Sequence, residues 1–178
     1  MTTRVIISGS GGQGIMLLGK ILAMAAMREN KFVTWLPSYG AEVRGGTAYC
    51  MLVVSDAEIG SPYIDKADTL IIMNAPSLKK FRDRIEKKGL LIINSSLAAA
   101  TVKGANVCEY PFTDIAIKLG NIKVANMVAL GCFIAEKKVV SPKSVREVIS
   151  DIAGEERKNL VEINEKALEE GMRLRGKQ

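Results

Sequence analysis

Short apolar runs alternate with longer, partly apolar segments along most of the chain. The runs are rich in β-branched and other apolar residues, which is typical of buried strands. They predict strands at 4–8, 31–36, 47–55, 69–73 and 89–93, with a less apolar candidate at 105–110.

The longer segments have the periodicity and end signals of helices. Ser141 and Pro142 have the residue types of an N-cap and a first helical position, and small residues at Ala125, Ala129 and Gly131 permit close packing against a neighbour. The segments predict helices at 13–28, 76–88, 122–138, 141–150 and 155–173.

Alternating strands and helices predict an α/β fold with a mostly parallel sheet. We expect a Rossmann-like, three-layer α/β/α architecture, and the 178 residues, 48% of them hydrophobic, fit one domain over 1–178. Polar stretches follow several strands, at 9–14, 38–46, 74–77 and 94–96. Because the carboxyl ends of parallel strands share one edge, these stretches could surround one crevice, although Asn and Ser there are also ordinary helix caps.

Charge adds one feature to this picture. The formal net charge is +6, and basic residues are concentrated at 79–88 and 173–178. Such a surface is either a solvated helix face or a contact for anionic partners. Nucleic acid is not the expected partner, because the few aromatic residues form no stacking motif.

Candidate catalytic and metal-binding residues are scarce. The chain has no histidine, and Cys50, Cys108 and Cys132 are too far apart for an iron–sulfur ligand pattern. We therefore expect reduced, buried thiols and no metal ligand in this chain, and any chemistry carried by this chain alone would need carboxylates, lysines or tyrosines. The N-terminal residues lack a signal-peptide pattern and no apolar run reaches about 18 residues, so we expect a cytoplasmic location without membrane contact.

The first glycine-rich motif follows the first strand. Gly9, Gly11 and Gly14 have the G-x-G-x-x-G spacing of a dinucleotide-binding turn. Such a site also needs an acidic residue at the end of the second strand, but 32–36 is FVTWL and the next acid is Glu42. The motif is therefore compatible with classical NAD or FAD binding, with another phosphate or a partner's backbone, or with a purely structural turn.

The second glycine-rich motif, SYGAEVRGG at 38–46, combines glycines with charged and aromatic residues. Arg44 could make forked contacts with a phosphate or carboxylate, while the glycines allow close approach of another surface. The alternative is a loop in which Glu42 and Arg44 pair with each other.

Both motifs are parts of longer segments that occur in a characteristic order, GSGGQGIMLLGKIL (9–22), PSYGAEVRGGTA (37–48), IGSPYIDKADTLIIMNAPSLKKF (59–81) and NMVALG (126–131). In these segments the chain resembles the gamma subunit of 2-oxoacid:ferredoxin oxidoreductases, and most of all that of the 2-oxoglutarate enzyme. The resemblance implies a complex that forms acyl-CoA, CO₂ and reduced ferredoxin with thiamine diphosphate, magnesium, iron–sulfur clusters and coenzyme A.

The resemblance also implies a division of labour. Thiamine diphosphate and the clusters would belong to alpha and beta subunits, with a delta subunit as a further candidate, and ferredoxin would be an indirect partner. This chain would be inactive alone, with no catalytic residue, and would supply interface and, as a further role, coenzyme A contacts. Pyruvate, 2-oxoisovalerate and indolepyruvate complexes remain alternatives, as does a free-standing nucleotide-binding protein. The candidate binding residues are Gly9, Gly11, Gly12, Gln13, Gly14, Ser38, Tyr39, Gly40, Glu42, Arg44, Gly45, Gly46 and Asn74.

Overall fold

A computed structural model describes residues 1–38, 47–99, 105–154 and 158–175. The strands are β1 (Thr2–Ser10), β2 (Phe32–Pro37), β3 (Thr47–Ser55), β4 (Ala67–Ile72), β5 (Ile85–Asn94) and β6 (Asn106–Tyr110). The helices are α1 (Ile15–Arg28), α2 (Ala75–Phe81), α3 (Phe112–Lys118), α4 (Ala125–Lys137), α5 (Pro142–Ala153) and α6 (Lys158–Met172), with 3-10 turns at Arg82–Arg84 and Ile122–Val124.

The strands of the described residues form one six-stranded sheet in the order β2-β3-β1-β4-β5-β6. Strands β1, β4, β5 and β6 are parallel, and β3 is antiparallel to both β1 and β2. The predicted α/β fold with a mostly parallel sheet is thus confirmed. The order differs from a regular dinucleotide-binding sheet in one respect, because β3 lies between β1 and β2.

The two faces of the sheet carry unequal helical layers. Alternate strand residues such as Val5, Leu52 and Ile92 face a large core that includes buried residues of α1, α3, α4, α5 and α6. Their neighbours, among them Ile6 and Leu91, face a smaller core closed mainly by α2 and by Ile64. Within the part of the chain that the structure describes, no helix combines the length and the apolar character of a membrane span.

The prediction of a helix over 76–88 is wrong in its second half. The helix α2 ends at Phe81, a 3-10 turn follows, and Ile85 already belongs to β5. Arg84 gives a physical reason, because its guanidinium donates to the carbonyls of Ile64 and Asp65, the latter at 3.0 Å. These contacts tie the turn to a distant segment, so the basic run 79–88 is not one helix face.

Other differences are smaller. Helix α3 was not predicted, although Phe112, Ile115, Ala116 and Leu119 have helical spacing. Helix α1 begins at Ile15 rather than Gln13, and the segment 122–138 starts with a 3-10 turn. The predicted start of α5 is confirmed, since Ser141 caps it and Pro142 is its first residue, but the helix continues to Ala153.

A carboxylate from the end of α1 also holds the start of α5. Glu29 Oε1 accepts hydrogen bonds from the Ser141 N–H and the Ser144 hydroxyl, each at 2.7 Å. Burial by itself would raise the pKa of Glu29, but these hydrogen bonds and the nearby Lys31 lower it below its ordinary value of 4.5. A lowered pKa in the folded state means that the ionised carboxylate stabilises the fold above pH 4.5.

We therefore expect Glu29→Gln to lower the free energy of unfolding by about 1 kcal/mol at pH 7, because the amide is a weaker acceptor at a helix N-terminus. The contribution of Glu29 is lost as pH falls through its folded-state pKa, so the two proteins should converge below pH 4.5. Urea unfolding at several pH values measures this difference, with Glu58→Gln on an exposed glutamate as the control. A difference independent of pH would contradict the assignment.

Candidate functional site

Several strand ends meet at one edge of the sheet. Strands β1, β2, β4 and β5 all end there, and β3 begins there, with Thr47 paired to Ser10. We call this edge the rim. It contains the glycine turn (residues 9–14), Ser38, Asn74 and Asn94.

The glycine turn is fastened to the neighbouring strand by Gln13. The Gln13 side chain accepts a hydrogen bond from the Ser10 N–H at 2.7 Å and donates one to the Met73 carbonyl at 3.3 Å. It therefore joins the end of β1 to the end of β4. This role is internal to the fold, and a contact of Gln13 with a ligand stays a prediction.

Two glycines of the turn meet opposite surroundings. A Cβ on Gly9 would lie 2.7 Å from Gln13 Oε1 and 2.9 Å from Met73 Cβ, so close packing requires glycine there. A Cβ on Gly12 would meet no heavy atom within 4 Å, and its φ of 86° lies in the left-handed region. Gly12 thus presents backbone to open space, which permits close approach of another molecule.

Two asparagines, Asn74 and Asn94, form hydrogen bonds that connect neighbouring strand ends at the rim. Asn74 Nδ2 donates to the Ser10 hydroxyl, and its Oδ1 accepts from the Ser77 N–H at 3.0 Å as the cap of α2. Asn94 donates to the Met73 carbonyl at 3.2 Å and to Thr113 Oγ1 at 2.8 Å. Both asparagines are buried, so their visible role is to connect the strand ends beneath the rim.

A cleft of about 390 Å³ opens beside the glycine turn. Its walls are largely apolar, and the first turn of α1, whose backbone N–H groups lack intrahelical partners, forms one side. An anion with an attached apolar group suits such walls, because the helix N-terminus attracts negative charge. The lining residues are Ser10, Gly11, Gly12, Gly14, Ile15, Met16, Leu17, Ser38 and Ala48.

The structure brings together those predicted site residues that it describes. Gly11, Gly12, Gly14 and Ser38 line the cleft, Gly9 and Gln13 belong to the same turn, and Asn74 bonds to it. The remaining candidates lie outside the described residues, although their neighbours Ser38 and Thr47 are both at the rim. Those candidates are Tyr39, Gly40, Glu42, Arg44, Gly45 and Gly46.

Two side chains at the rim were not identified from the sequence. Thr113 bonds to Asn94 from the start of α3, and Asn126 of α4 donates to the Gly14 carbonyl at 3.1 Å. A polar residue within the apolar run of 124–134 was an available signal for Asn126. The pairing with Gly14, 112 positions away, was not visible in that signal.

The thiols have the predicted character. All three cysteines are free and buried. Burial raises the pKa of Cys50 to about 12 and that of Cys108 to about 11, and it also raises the pKa of Cys132. They are therefore protonated at neutral pH and unsuited to nucleophilic chemistry. Among the described residues, no group of three His, Cys, Asp or Glu side chains could hold a metal ion.

Gln13→Ala is expected to lower the free energy of unfolding by about 1–2 kcal/mol, because it removes two hydrogen bonds that join β1 to β4. Gln13→Glu distinguishes the contributions of the two hydrogen bonds, because a carboxylate still accepts from the Ser10 N–H but cannot donate to the Met73 carbonyl. Chemical denaturation measures both variants. Equal stability of Gln13→Ala and the wild type would contradict this role.

Comparison with known proteins gives one family for nearly the whole chain. The model of the family described as "Pyruvate ferredoxin/flavodoxin oxidoreductase" matches residues 4–174. The chain is 37% identical over 170 residues to the ketoisovalerate oxidoreductase subunit VorA of Methanothermobacter thermautotrophicus, covering 94% of this chain but 35% of VorA. It is 36% identical to the 2-oxoglutarate synthase subunit KorC of Methanocaldococcus jannaschii, covering 90% of each.

Solved structures share the fold. The gamma subunit of a keto/oxoacid ferredoxin oxidoreductase from Geobacter sulfurreducens superposes with a TM-score of 0.82 at 27% identity, covering 97% of both chains. The 2-oxoglutarate:ferredoxin oxidoreductase of Magnetococcus marinus, solved with 2-oxoglutarate, coenzyme A and succinyl-CoA bound, gives a TM-score of 0.91 at 22% identity. In that case 99% of this chain matches 31% of the other.

Proposed function

This chain belongs to the pyruvate ferredoxin/flavodoxin oxidoreductase family, and from that premise we propose that it is the gamma subunit of a 2-oxoacid:ferredoxin oxidoreductase. The observation that carries the proposal is the similarity to a gamma subunit over 97% of both chains. In the complex, a 2-oxoacid and coenzyme A would give acyl-CoA and CO₂, with two electrons passing to ferredoxin. We expect the complex to be cytoplasmic.

We propose 2-oxoglutarate as the oxoacid, because KorC and this chain match over 90% of each. VorA is slightly more similar in sequence, but this chain spans only 35% of VorA, whose name specifies ketoisovalerate. We also expect the partner subunits to take part in selecting the oxoacid. Pyruvate, 2-oxoisovalerate and indolepyruvate are the alternatives that the experiment below distinguishes.

We assign each cofactor to this chain or to its partner subunits according to which residues could bind it. The wide spacing of Cys50, Cys108 and Cys132 and the absence of histidine argue against an iron–sulfur cluster on this chain. The described residues also contain no group of three His, Cys, Asp or Glu side chains that could hold a metal ion. We therefore assign thiamine diphosphate, magnesium and the clusters to the alpha and beta subunits, or to a delta subunit. Coenzyme A is the cofactor that suits the rim, because open space above Gly12 and the N-terminus of α1 can accommodate its phosphates.

Classical dinucleotide binding is disfavoured by the sheet order. Strand β3 separates β1 from β2, which puts the end of β2 about 10 Å from β1, two strand spacings away. In addition, β2 ends in Leu36 and Pro37 rather than in an acid that could bind ribose hydroxyls. Tight binding of NAD or FAD to the isolated chain, measured by calorimetry, would support the alternative of a free-standing nucleotide-binding protein.

The proposal is tested by co-expressing this chain with its candidate alpha and beta partners. We expect one co-eluting complex that reduces ferredoxin fastest with 2-oxoglutarate and requires coenzyme A, while the isolated chain is inactive. Parallel assays with pyruvate, 2-oxoisovalerate and indolepyruvate identify the substrate. Failure to co-elute with any thiamine-dependent partner would contradict the gamma-subunit role.

A coenzyme contact at the rim is tested at Gly12. Gly12→Asp places a carboxylate in the open space, whereas Gly12→Asn has nearly the same shape without charge, and both residue types tolerate positive φ. Like charges repel, so we expect the KM for coenzyme A to rise about tenfold more in Gly12→Asp than in Gly12→Asn. Equal KM values for the two variants would show that no phosphate of coenzyme A lies close to Gly12.

A further inference from the structure

Helix α4 buries a polar side chain that is only partly satisfied. Every residue from Ala125 to Ile134 is buried, and Asn126 is 2% exposed. Its Oδ1 atom has no hydrogen-bond partner among the described residues. An unpaired buried acceptor destabilises a fold, so an apolar residue would suit this helix better if packing alone mattered.

The other end of the amide explains what Asn126 does. Its Nδ2 donates to the carbonyl of Gly14 at 3.1 Å, and the same carbonyl accepts the Leu18 N–H at 2.9 Å. Gly14 is the N-cap of α1 and has no side chain to cap the helix. The carbonyl that opens α1 is therefore held by a residue from α4.

Steric contacts also link the two residues, because the Asn126 amide leaves no room for a side chain at position 14. Gly14 has a φ of 71°, and a Cβ added there would lie 2.2 Å from Asn126 Nδ2 and 2.9 Å from its Cγ. The distance to Asn126 Cβ would be 3.4 Å, an ordinary contact. The Asn126 amide thus occupies the volume of any side chain at position 14, and the two residues interlock.

We infer that Asn126 is a positioning residue, which fixes the glycine turn in the conformation that presents Gly12 and the first turn of α1 to coenzyme A. This inference rests on the proposed function. Asn126 is not one of the residues that line the cleft, and it acts on the rim through its contact with Gly14. Loss of the Asn126 amide would let the turn shift, while the sheet and the core of α4 remain intact.

The kinetic test uses Asn126→Ala in the assembled complex. We expect the KM for coenzyme A to rise about tenfold, the effect of one lost hydrogen bond, with kcat and the KM for the oxoacid nearly unchanged. Hydrogen exchange at the Leu18 amide should become faster in the same complex. Ser77→Ala is the matched control, because Ser77 also has a buried, unpartnered hydroxyl but makes no side-chain bond to the turn.

The stability test uses a double-mutant cycle with Gly14→Ala. Asn126→Ala should slightly destabilise the wild type but stabilise the Gly14→Ala variant, because removing the amide relieves the overlap. A wild-type KM for coenzyme A in an active Asn126→Ala complex would overturn the inference and leave the proposed function standing. Failure of the wild-type chain to form a complex would overturn the proposed function, and additive effects in the cycle would separately overturn the interlock.

Discussion

Gly131→Ala is expected to lower the free energy of unfolding by about 3 kcal/mol, at the upper end of the cost of overpacking. A Cβ on Gly131 would lie 2.1 Å from the Leu168 carbonyl oxygen and 3.0 Å from the Met172 nitrogen. These are backbone atoms of α6, which cannot move aside by rotating a side chain. Gly171 faces α4 in the same way, 2.0 Å from the Val128 oxygen, so the two helices touch through a pair of glycines.

The melting temperature should therefore fall by about 10 °C in Gly131→Ala, as expected for a domain of this size. Alanine favours helix over glycine by about 1 kcal/mol, so the measured loss is a lower bound on the steric cost. Gly60→Ala is the control, because a Cβ there meets no atom within 4 Å and its φ is outside the left-handed region. A melting temperature for Gly131→Ala equal to that of Gly60→Ala would show that α4 and α6 are less closely packed.

Asn94→Ala should have a similarly large effect on the free energy of unfolding, a loss of about 3 kcal/mol from unpaired buried groups and a small cavity. Asn94 is fully buried, and its Oδ1 accepts from the Thr113 N–H at 3.2 Å. Helix α3 begins after Pro111, which provides no side-chain cap, so the amide of Asn94 caps this helix from the end of β5. Its loss leaves the Thr113 N–H unpaired and weakens the link to the Met73 carbonyl.

Denaturant unfolding of Asn94→Ala measures this effect, with Asn106→Ala as the matched control. Asn106 is an exposed asparagine on the adjacent strand β6, and its side chain donates to the Lys88 carbonyl at 2.9 Å. We expect a loss below about 1 kcal/mol for this control, since water replaces an exposed hydrogen bond. Similar losses in the two variants would show that the cap on α3 comes from elsewhere.

The sheet was predictable because apolar strand runs are a local signal. Each strand buried on both faces appears as a continuous apolar segment, as in residues 89–93. The end of α2 was not predictable in the same way. The basic residues after Phe81 have good helix propensity, but Arg84 bonds to carbonyls of 64 and 65, and these tertiary contacts turn the chain into β5.

The candidate site was likewise only partly predictable from the sequence. The rim was expected because polar residues following parallel strands share one edge, and the glycine turn, Ser38 and Asn74 do lie there. The use of each residue was not expected. Gly9 is required by packing against Met73, Asn74 acts as a cap, and Asn126 holds Gly14 from α4. Such contacts join positions far apart in the chain, and no spacing rule predicts them.

By itself, the sequence determined the α/β class, the mostly parallel sheet and the family, because strand runs and glycine motifs are short-range patterns. It also specified a small residue at Gly131, where close helix packing was expected. The tertiary structure decided the position of β3 between β1 and β2, the close contact of α4 with α6, and the pairing of Asn126 with Gly14. These features depend on which distant surfaces meet, and that is set by the burial of the whole core rather than by any local segment.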